Sequence, residues 1–371
     1  MISRRLQANI KARLNKGKVI VLIGPRQVGK TTMINALLKN TPYLFLDGDD
    51  SLVCDELSNA NTEQLKNIIG NFKYVFIDEV QRISNIGLKL KIMVDQIKTA
   101  QIIVSGSSAL DISDLTQEPL TGRKFEFQMF PVSWNEFEGN VGYMKAQQQL
   151  ELRMIYGMYP DVINNLGNEH EILKNLVSSY LYKDILALTG IRKSDVLEKI
   201  LQALALQIGS EVSYNEIAQL VGIDKNTVNN YINLLEKSYV IFRLNSFSRN
   251  ARNEIKANRK IYFYDNGVRN MLIGNFNNLS LRQDKGALWE NFMVSERMKL
   301  LSYENSNKRP YFWRTTQQQE IDYIEVDAEE VNAFKIKWKV KKAKLPKSFS
   351  DYYNGSFSVI TTDNFRDFLK F

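Results

Sequence analysis

The chain has 371 residues, with 49 lysines and arginines against 41 acids and a net charge of +8. At about 150 residues per domain this length gives two or three domains with sizeable cores, and 44% hydrophobic with 24% charged residues excludes collagenous and disordered classes. One cysteine, Cys54, rules out an intrachain disulfide or a Cys-based zinc cluster, and a single histidine, His170, nearly excludes His-based metal centres and Ser-His-Asp triads.

The basic stretch Met1–Lys18 lacks the apolar core and cleavage site of a signal peptide, and no apolar run approaches the ~18 residues of a membrane span. With the lone cysteine, this predicts a cytoplasmic protein with no membrane partner. Short apolar runs then alternate with helical patterns. Strands are expected at Lys18–Ile23, Tyr43–Leu46, Tyr74–Ile77, Ile102–Val104 and Phe125–Phe130, and helices at Thr31–Lys39 and Ile86–Ile97. That alternation predicts crossover units and a parallel α/β sheet.

Between the first strand and the first helix lie Gly24, Pro25, Arg26, Gln27, Val28, Gly29, Lys30, Thr31 and Thr32, matching G-x-x-x-x-G-K-[ST]. Glycines at this spacing let backbone N–H groups surround a phosphate, a lysine reaches the β/γ oxygens, and the Thr31 hydroxyl ligates Mg²⁺. The helix start adds its dipole. ATP and Mg²⁺ are therefore the expected ligands. Tyr74-Val-Phe-Ile-Asp78-Glu79 reads as a buried strand delivering a carboxylate for the metal, Asp78, followed by Glu79 to polarise the attacking water. The next strand runs into Ser105-Gly-Ser107-Ser108, which is either a plain turn or places Ser105 or Ser107 to sense the γ-phosphate or orient water. Leu120-Thr-Gly-Arg123 presents an arginine that is either a surface residue or a charge donor to a neighbouring subunit's nucleotide. The expected catalytic set is Lys30, Glu79, Arg123 and Ser107.

Further along, helices are expected from about 145 to 210, punctuated by Gly157-Met-Tyr-Pro160, with Tyr180 and Leu181 on one apolar stripe. Ser213-Tyr-Asn-Glu216 has capping-box spacing, Gly222 provides a turn, and Asp224 caps a second helix with Val228, Tyr231, Ile232 and Leu235 inward. Its outward Lys225, Asn226, Asn229, Asn230 and Asn233, with Arg249, Arg252, Lys256, Arg259 and Lys260 on a wing opposed by Glu254, suit either DNA contacts or a solvated packing module. From Arg192 to Lys260 there are eleven basic residues against seven acids. A helix around Trp289–Leu301 and strands at Tyr311–Arg314, Ile321–Val326 and Ala333–Trp338 follow. Seven lysines and no acid lie between Val331 and Phe349, a second candidate polyanion surface or a solvated strand edge.

The loop at Gly24–Thr32, Phe76-Ile-Asp-Glu-Val-Gln81, Ser105–Ser108, Leu120–Arg123, Phe130-Pro-Val-Ser-Trp-Asn-Glu-Phe137, Gly157–Pro160 and Tyr182-Lys-Asp-Ile185 resemble a large group of prokaryotic AAA-type ATPases. The resemblance implies a P-loop ATPase domain at 1–140, a helical and winged-helix domain at 141–270, and a restriction-endonuclease-like α+β domain at 271–371. It also implies an arginine-finger position for Arg123; acting in trans, such an arginine would require ATP-dependent association into a homo-oligomer, and the oligomeric state stays open. Trp289-Glu290-Asn291, Glu320-Ile-Asp322 and Lys335-Ile-Lys337 follow the order of an endonuclease site, but Lys335 stands where a second acid is required and would repel a divalent cation. A non-cleaving domain is expected, with Asp322 paired to Lys335 or Lys337. Two functions follow: an ATP hydrolase driving conformational change in DNA- or protein-interacting C-terminal domains, or a nucleotide-gated DNA-binding regulator with little turnover.

Overall fold

A computed structural model of the chain describes residues 2–107, 119–178, 194–248, 259–315, 317–339, 343–351, 353 and 355–370. Ser108, Tyr180, Leu181, Tyr182–Ile185, Arg249, Arg252, Glu254 and Lys256 lie outside the described residues. The chain divides into two compact units, Met1–Val132 with Lys237–Tyr239, and Ser133–Glu236 with Val240–Phe371.

In the first unit, β1 (Val19–Ile23), β2 (Leu44–Asp47), β3 (Tyr74–Asp78), β4 (Gln101–Gly106) and β5 (Lys124–Gln128) form one sheet in the order β2-β3-β4-β1-β5, and every described pairing is parallel. Val21 pairs with Val104 on one side and Glu126 on the other. All five residues of β1 are buried, as expected for a central strand covered on both faces, whereas β2, at the sheet edge, is only half buried. Helices Lys30–Leu38, Ser51–Asn59, Thr62–Ile69 and Ile86–Gln96 connect the strands. This is a P-loop NTPase fold. Because its strands run parallel, the C-terminal ends of β1, β3 and β4 open on the same edge, where ligands of such sheets sit.

The second unit begins with helices Trp134–Val141, Tyr143–Tyr156, Pro160–Asn164, Glu169–Leu176 and Ser194–Leu206. Gly157 is fixed by close approach: a Cβ there would lie 2.0 Å from Asp265 Oδ1, and Asp265 Oδ2 accepts from Met158 N at 2.6 Å. Helices Tyr214–Val221 and Lys225–Lys237 follow, separated by Gly222 at φ 76°. Asp224 caps the second through Asn226 N and Thr227 N at 2.8 and 2.9 Å. At the first, Ser213 Oγ accepts from Glu216 N at a long 3.4 Å, and among the described hydrogen bonds Glu216 does not return the contact.

Strands β6 (Glu211–Val212), β7 (Ile241–Ser246), β8 (Arg259–Phe263), β9 (Arg309–Arg314), β10 (Glu320–Asp327), β11 (Glu330–Ile336) and β12 (Gly355–Ile360) form one seven-stranded mixed sheet, in the order β12-β11-β10-β9-β7-β8-β6. The β7–β8 hairpin and the C-terminal strands thus share a single sheet, joined where β7 pairs in parallel with β9 at Asn245 and Tyr311. Helix Lys285–Tyr303 packs beside it and is buried along most of its length.

Candidate nucleotide site

The loop after β1 is shaped by its backbone. A Cβ on Gly24 would sit 2.0 Å from Met129 O, so only glycine fits there. Gln27 and Gly29 take left-handed φ values of 61° and 93°, turning the chain into the helix that starts at Lys30. Gly24, Pro25, Val28 and Lys30 are buried, Arg26, Gly29 and Thr31 are half-buried, and Gln27 and Thr32 are exposed. Lys30 Nζ donates to Gly24 O and Pro25 O at 2.8 and 2.9 Å, so the loop wraps its own lysine. Burial pushes that ammonium down to about 8, against the attraction of Glu79 and Asp78. From behind, the buried Arg4 donates to Val28 O at 2.8 Å and Phe130 O at 2.5 Å, holding the loop to the segment after β5. Sequence reading missed Arg4, whose partners are backbone oxygens 24 and 126 residues away.

Opposite the loop, Asp78 ends β3. Its Oδ2 accepts from Thr31 Oγ1 at 2.5 Å, and its Oδ1 accepts from Glu79 N at 3.0 Å and from the Ser105 hydroxyl. Glu79 adopts a left-handed φ of 45°. Gly48 backs this turn, with its N donating to Asp78 O at 3.0 Å, and a Cβ there would lie 2.5 Å from Glu79 O. Strained backbone at a strand end is where functional side chains are aimed. The Gln81 amide donates to Glu79 Oε2 and, at 3.1 Å, to Ser107 Oγ. The two serines thus separate: Ser105 contacts Asp78, and Ser107 lies one amide away from Glu79. Gln81 was absent from the sequence-derived site, although it sits two residues beyond the acid pair.

Lys30, Thr31, Asp78, Ser105, Glu79, Gln81 and Ser107 therefore form one continuous cluster. Arg123 lies apart. Its guanidinium, 39% exposed, pairs with Asp95 at 2.7 Å, and this hydrogen bond holds its proton more tightly than usual. The oxygen donors of Thr31 and Asp78 suit Mg²⁺, which takes one or two protein ligands and completes its shell with phosphate and water. A site of that kind needs no cluster of three protein acids, and none is found among the described residues.

A second charged cluster occupies the C-terminal sheet. Lys260, fully buried on β8, pairs with Glu290 Oε1 at 3.0 Å and Glu320 Oε1 at 2.5 Å, and the Tyr262 hydroxyl donates to Glu290 at 2.7 Å. Burial pulls Lys260 down, but Glu290, Glu320 and Asp322 outweigh it and hold the ammonium above its ordinary range. Lys335 pairs with Asp322 Oδ1 at 2.5 Å, and Ile336 N donates to Asp322 Oδ2 at 2.7 Å. Two expectations change here. Lys260 faces inward and offers nothing to a polyanion, because β8 is buried from that residue onward. Lys335, the first of the seven lysines, lies on β11, an interior strand between β10 and β12, and not on a sheet edge; the other six follow the end of β11 at Ile336. Lys225, Asn226 and Asn230 are exposed, with Asn229 and Asn233 half-buried.

Family models match three segments: an AAA domain over residues 16–138, a domain of unknown function (DUF8612) over 147–279, and a domain of unknown function (DUF4143) over 285–366. The AAA-domain match spans the parallel sheet and phosphate loop of the first unit. A Walker-type ATPase of Pyrococcus abyssi superposes with a TM-score of 0.51 at 15% identity, covering 74% of this chain and 96% of that one, a likeness of fold. In sequence, the chain is 27% identical over 334 residues to an uncharacterized protein of Mycobacterium tuberculosis, covering 88% of this chain and 72% of that protein. It is 25% identical over 345 residues to an uncharacterized protein of Methanocaldococcus jannaschii, covering 86% and 74%. Among the described residues, no helix is long and apolar enough to cross a membrane.

Proposed function

We propose that the chain is a cytoplasmic ATP hydrolase whose turnover drives conformational change in its C-terminal half. The loop Gly24–Thr32 holds the phosphates, with Lys30 on the β/γ oxygens, and Thr31 with Asp78 holds Mg²⁺. When bound, that ion neutralises charge on the phosphate oxygens. Glu79 accepts the proton of the attacking water, Ser107 faces the γ-phosphate, and Arg123 serves a neighbouring copy in a homo-oligomer. The observation that carries this reading is the 2.5 Å contact between Thr31 Oγ1 and Asp78 Oδ2 beside the buried Lys30. It unites the phosphate loop and the carboxylate strand in one place.

A second reading is favoured by the exposed Lys225, Asn226 and Asn230 on a helix that follows a tight turn. In it the helix pair and the β7–β8 hairpin act as a winged helix, and nucleotide occupancy gates DNA binding with little turnover. The C-terminal domain is non-cleaving in both, since Lys260 and Lys335 neutralise the carboxylates that a divalent metal would need. The two readings separate in one experiment, the ATPase rate with and without duplex DNA at several protein concentrations. Hydrolysis above a Lys30→Ala control supports the first. DNA binding that requires ATP and weakens steeply with salt, without turnover, supports the second.

A further inference from the structure

Gln81 makes two contacts that the motif chemistry does not call for. Its Nε2 donates one hydrogen to Glu79 Oε2 and the other to Ser107 Oγ at 3.1 Å, joining the end of β3 to the end of β4. Its Oε1 is buried with no hydrogen-bond partner among the described residues. A buried amide oxygen left unpaired costs free energy, so the amide is held in this orientation by what its other end touches. A carboxylate only accepts, so the NH₂ must face Glu79. The second N–H then occupies an acceptor position of Ser107, which leaves the serine's own hydrogen to be donated elsewhere. An anionic phosphate oxygen is the natural acceptor on this edge of the sheet.

From this bridge we propose that Gln81 is a positioning residue, linking the water-activating carboxylate to the serine that contacts the γ-phosphate. The inference rests on the hydrolase reading given above. One amide fixes the Glu79 carboxylate and presents the Ser107 hydroxyl as a donor, so the two ends of the reacting water–phosphate pair are set together. Gln81 touches neither nucleotide nor metal. Removing it should disturb turnover and spare nucleotide affinity.

The test measures kcat and KM for ATP, and the affinity for a fluorescent ADP analogue, in the full-length wild type, Gln81→Ala and Gln81→Glu. For Gln81→Ala we expect kcat to fall roughly ten- to hundredfold, with KM and ADP affinity within about twofold. Gln81→Glu keeps the side chain's size and replaces the donor with a second carboxylate beside Glu79. Like charges raise proton affinity, so the acidic limb of the kcat–pH profile should move to higher pH. Retained ADP affinity in either variant verifies an intact fold. An active wild type with Gln81→Ala within twofold of it, or with ADP affinity falling in step with kcat, overturns the bridge alone. A wild type no faster than Lys30→Ala overturns the hydrolase reading and the bridge with it.

Discussion

Thr31 and Asp78 are 47 residues apart in the chain and 2.5 Å apart in the fold, hydroxyl to carboxylate. The contact arises because β1 and β3 are parallel strands on either side of β4, so the loop after one and the acid ending the other reach the same edge. If these oxygens hold Mg²⁺, wild-type protein should bind ATP more tightly in Mg²⁺ than in EDTA, and Asp78→Asn should reduce that difference to within about twofold. Titration of a fluorescent ATP analogue in both buffers measures it.

Lys30 gives a pH signature. Burial depresses its folded-state pKa to about 8, whereas in the unfolded chain it titrates near ~10.4. Between these values the unfolded chain holds more protons, so this group makes stability rise with pH across that window. Polyphosphate beside Lys30 favours the ammonium and raises its pKa again, while phosphate groups, with a last pKa of about 6, are already ionised. ADP binding at pH 8.5 should therefore take up a fraction of a proton. Calorimetry in two buffers of different ionisation enthalpy reads this directly, and proton release would contradict it.

Arg123 pairs with Asp95 on its own chain, so a role in a neighbouring site requires the arginine to leave that carboxylate. Both side chains are more than a third exposed, and such pairs are weak. Arg123→Ala should lose at least about a hundredfold in turnover, while Asp95→Ala should lose none. Mixing Arg123→Ala with Glu79→Gln should restore part of the activity, because one variant keeps the site and the other the arginine. No restoration across a range of protein concentrations would place Arg123 outside the chemistry.

The C-terminal sheet carries its own prediction. Removing Lys260 leaves Glu290 and Glu320 facing each other without their shared cation. Lys260→Met should destabilise the protein by about 3 kcal/mol or more, measured by denaturant unfolding. Because the folded-state pKa of Lys260 is raised, its contribution is present at neutral pH and is lost as pH rises beyond the ordinary lysine range. Wild-type protein should not cleave plasmid DNA in Mg²⁺, and cleavage lost on Asp322→Ala would contradict the non-cleaving reading.

The phosphate loop was legible in the sequence because its chemistry is local: Gly24 to Thr32 are contiguous and lie between a continuous apolar run and a helix start. The acid pair was legible for the same reason. Arg4, Gln81 and Lys260 were not. Arg4 and Lys260 act through partners brought close only by the fold, and Gln81, although two residues from Glu79, reaches Ser107 only in the fold; nothing in the spacing of such a residue announces an inward orientation. Helix Thr62–Ile69 was also passed over, being short and largely polar. The Asn61 and Gln64 capping box at its start was the available signal.

The most direct test of the account is ATP turnover by Glu79→Gln, measured beside its affinity for ATP. The substitution preserves shape and the contact with Gln81 while removing the group that accepts the water's proton. The account predicts a fall in kcat of at least about a hundredfold with ATP binding unchanged. Hydrolysis by Glu79→Gln at the wild-type rate would contradict it.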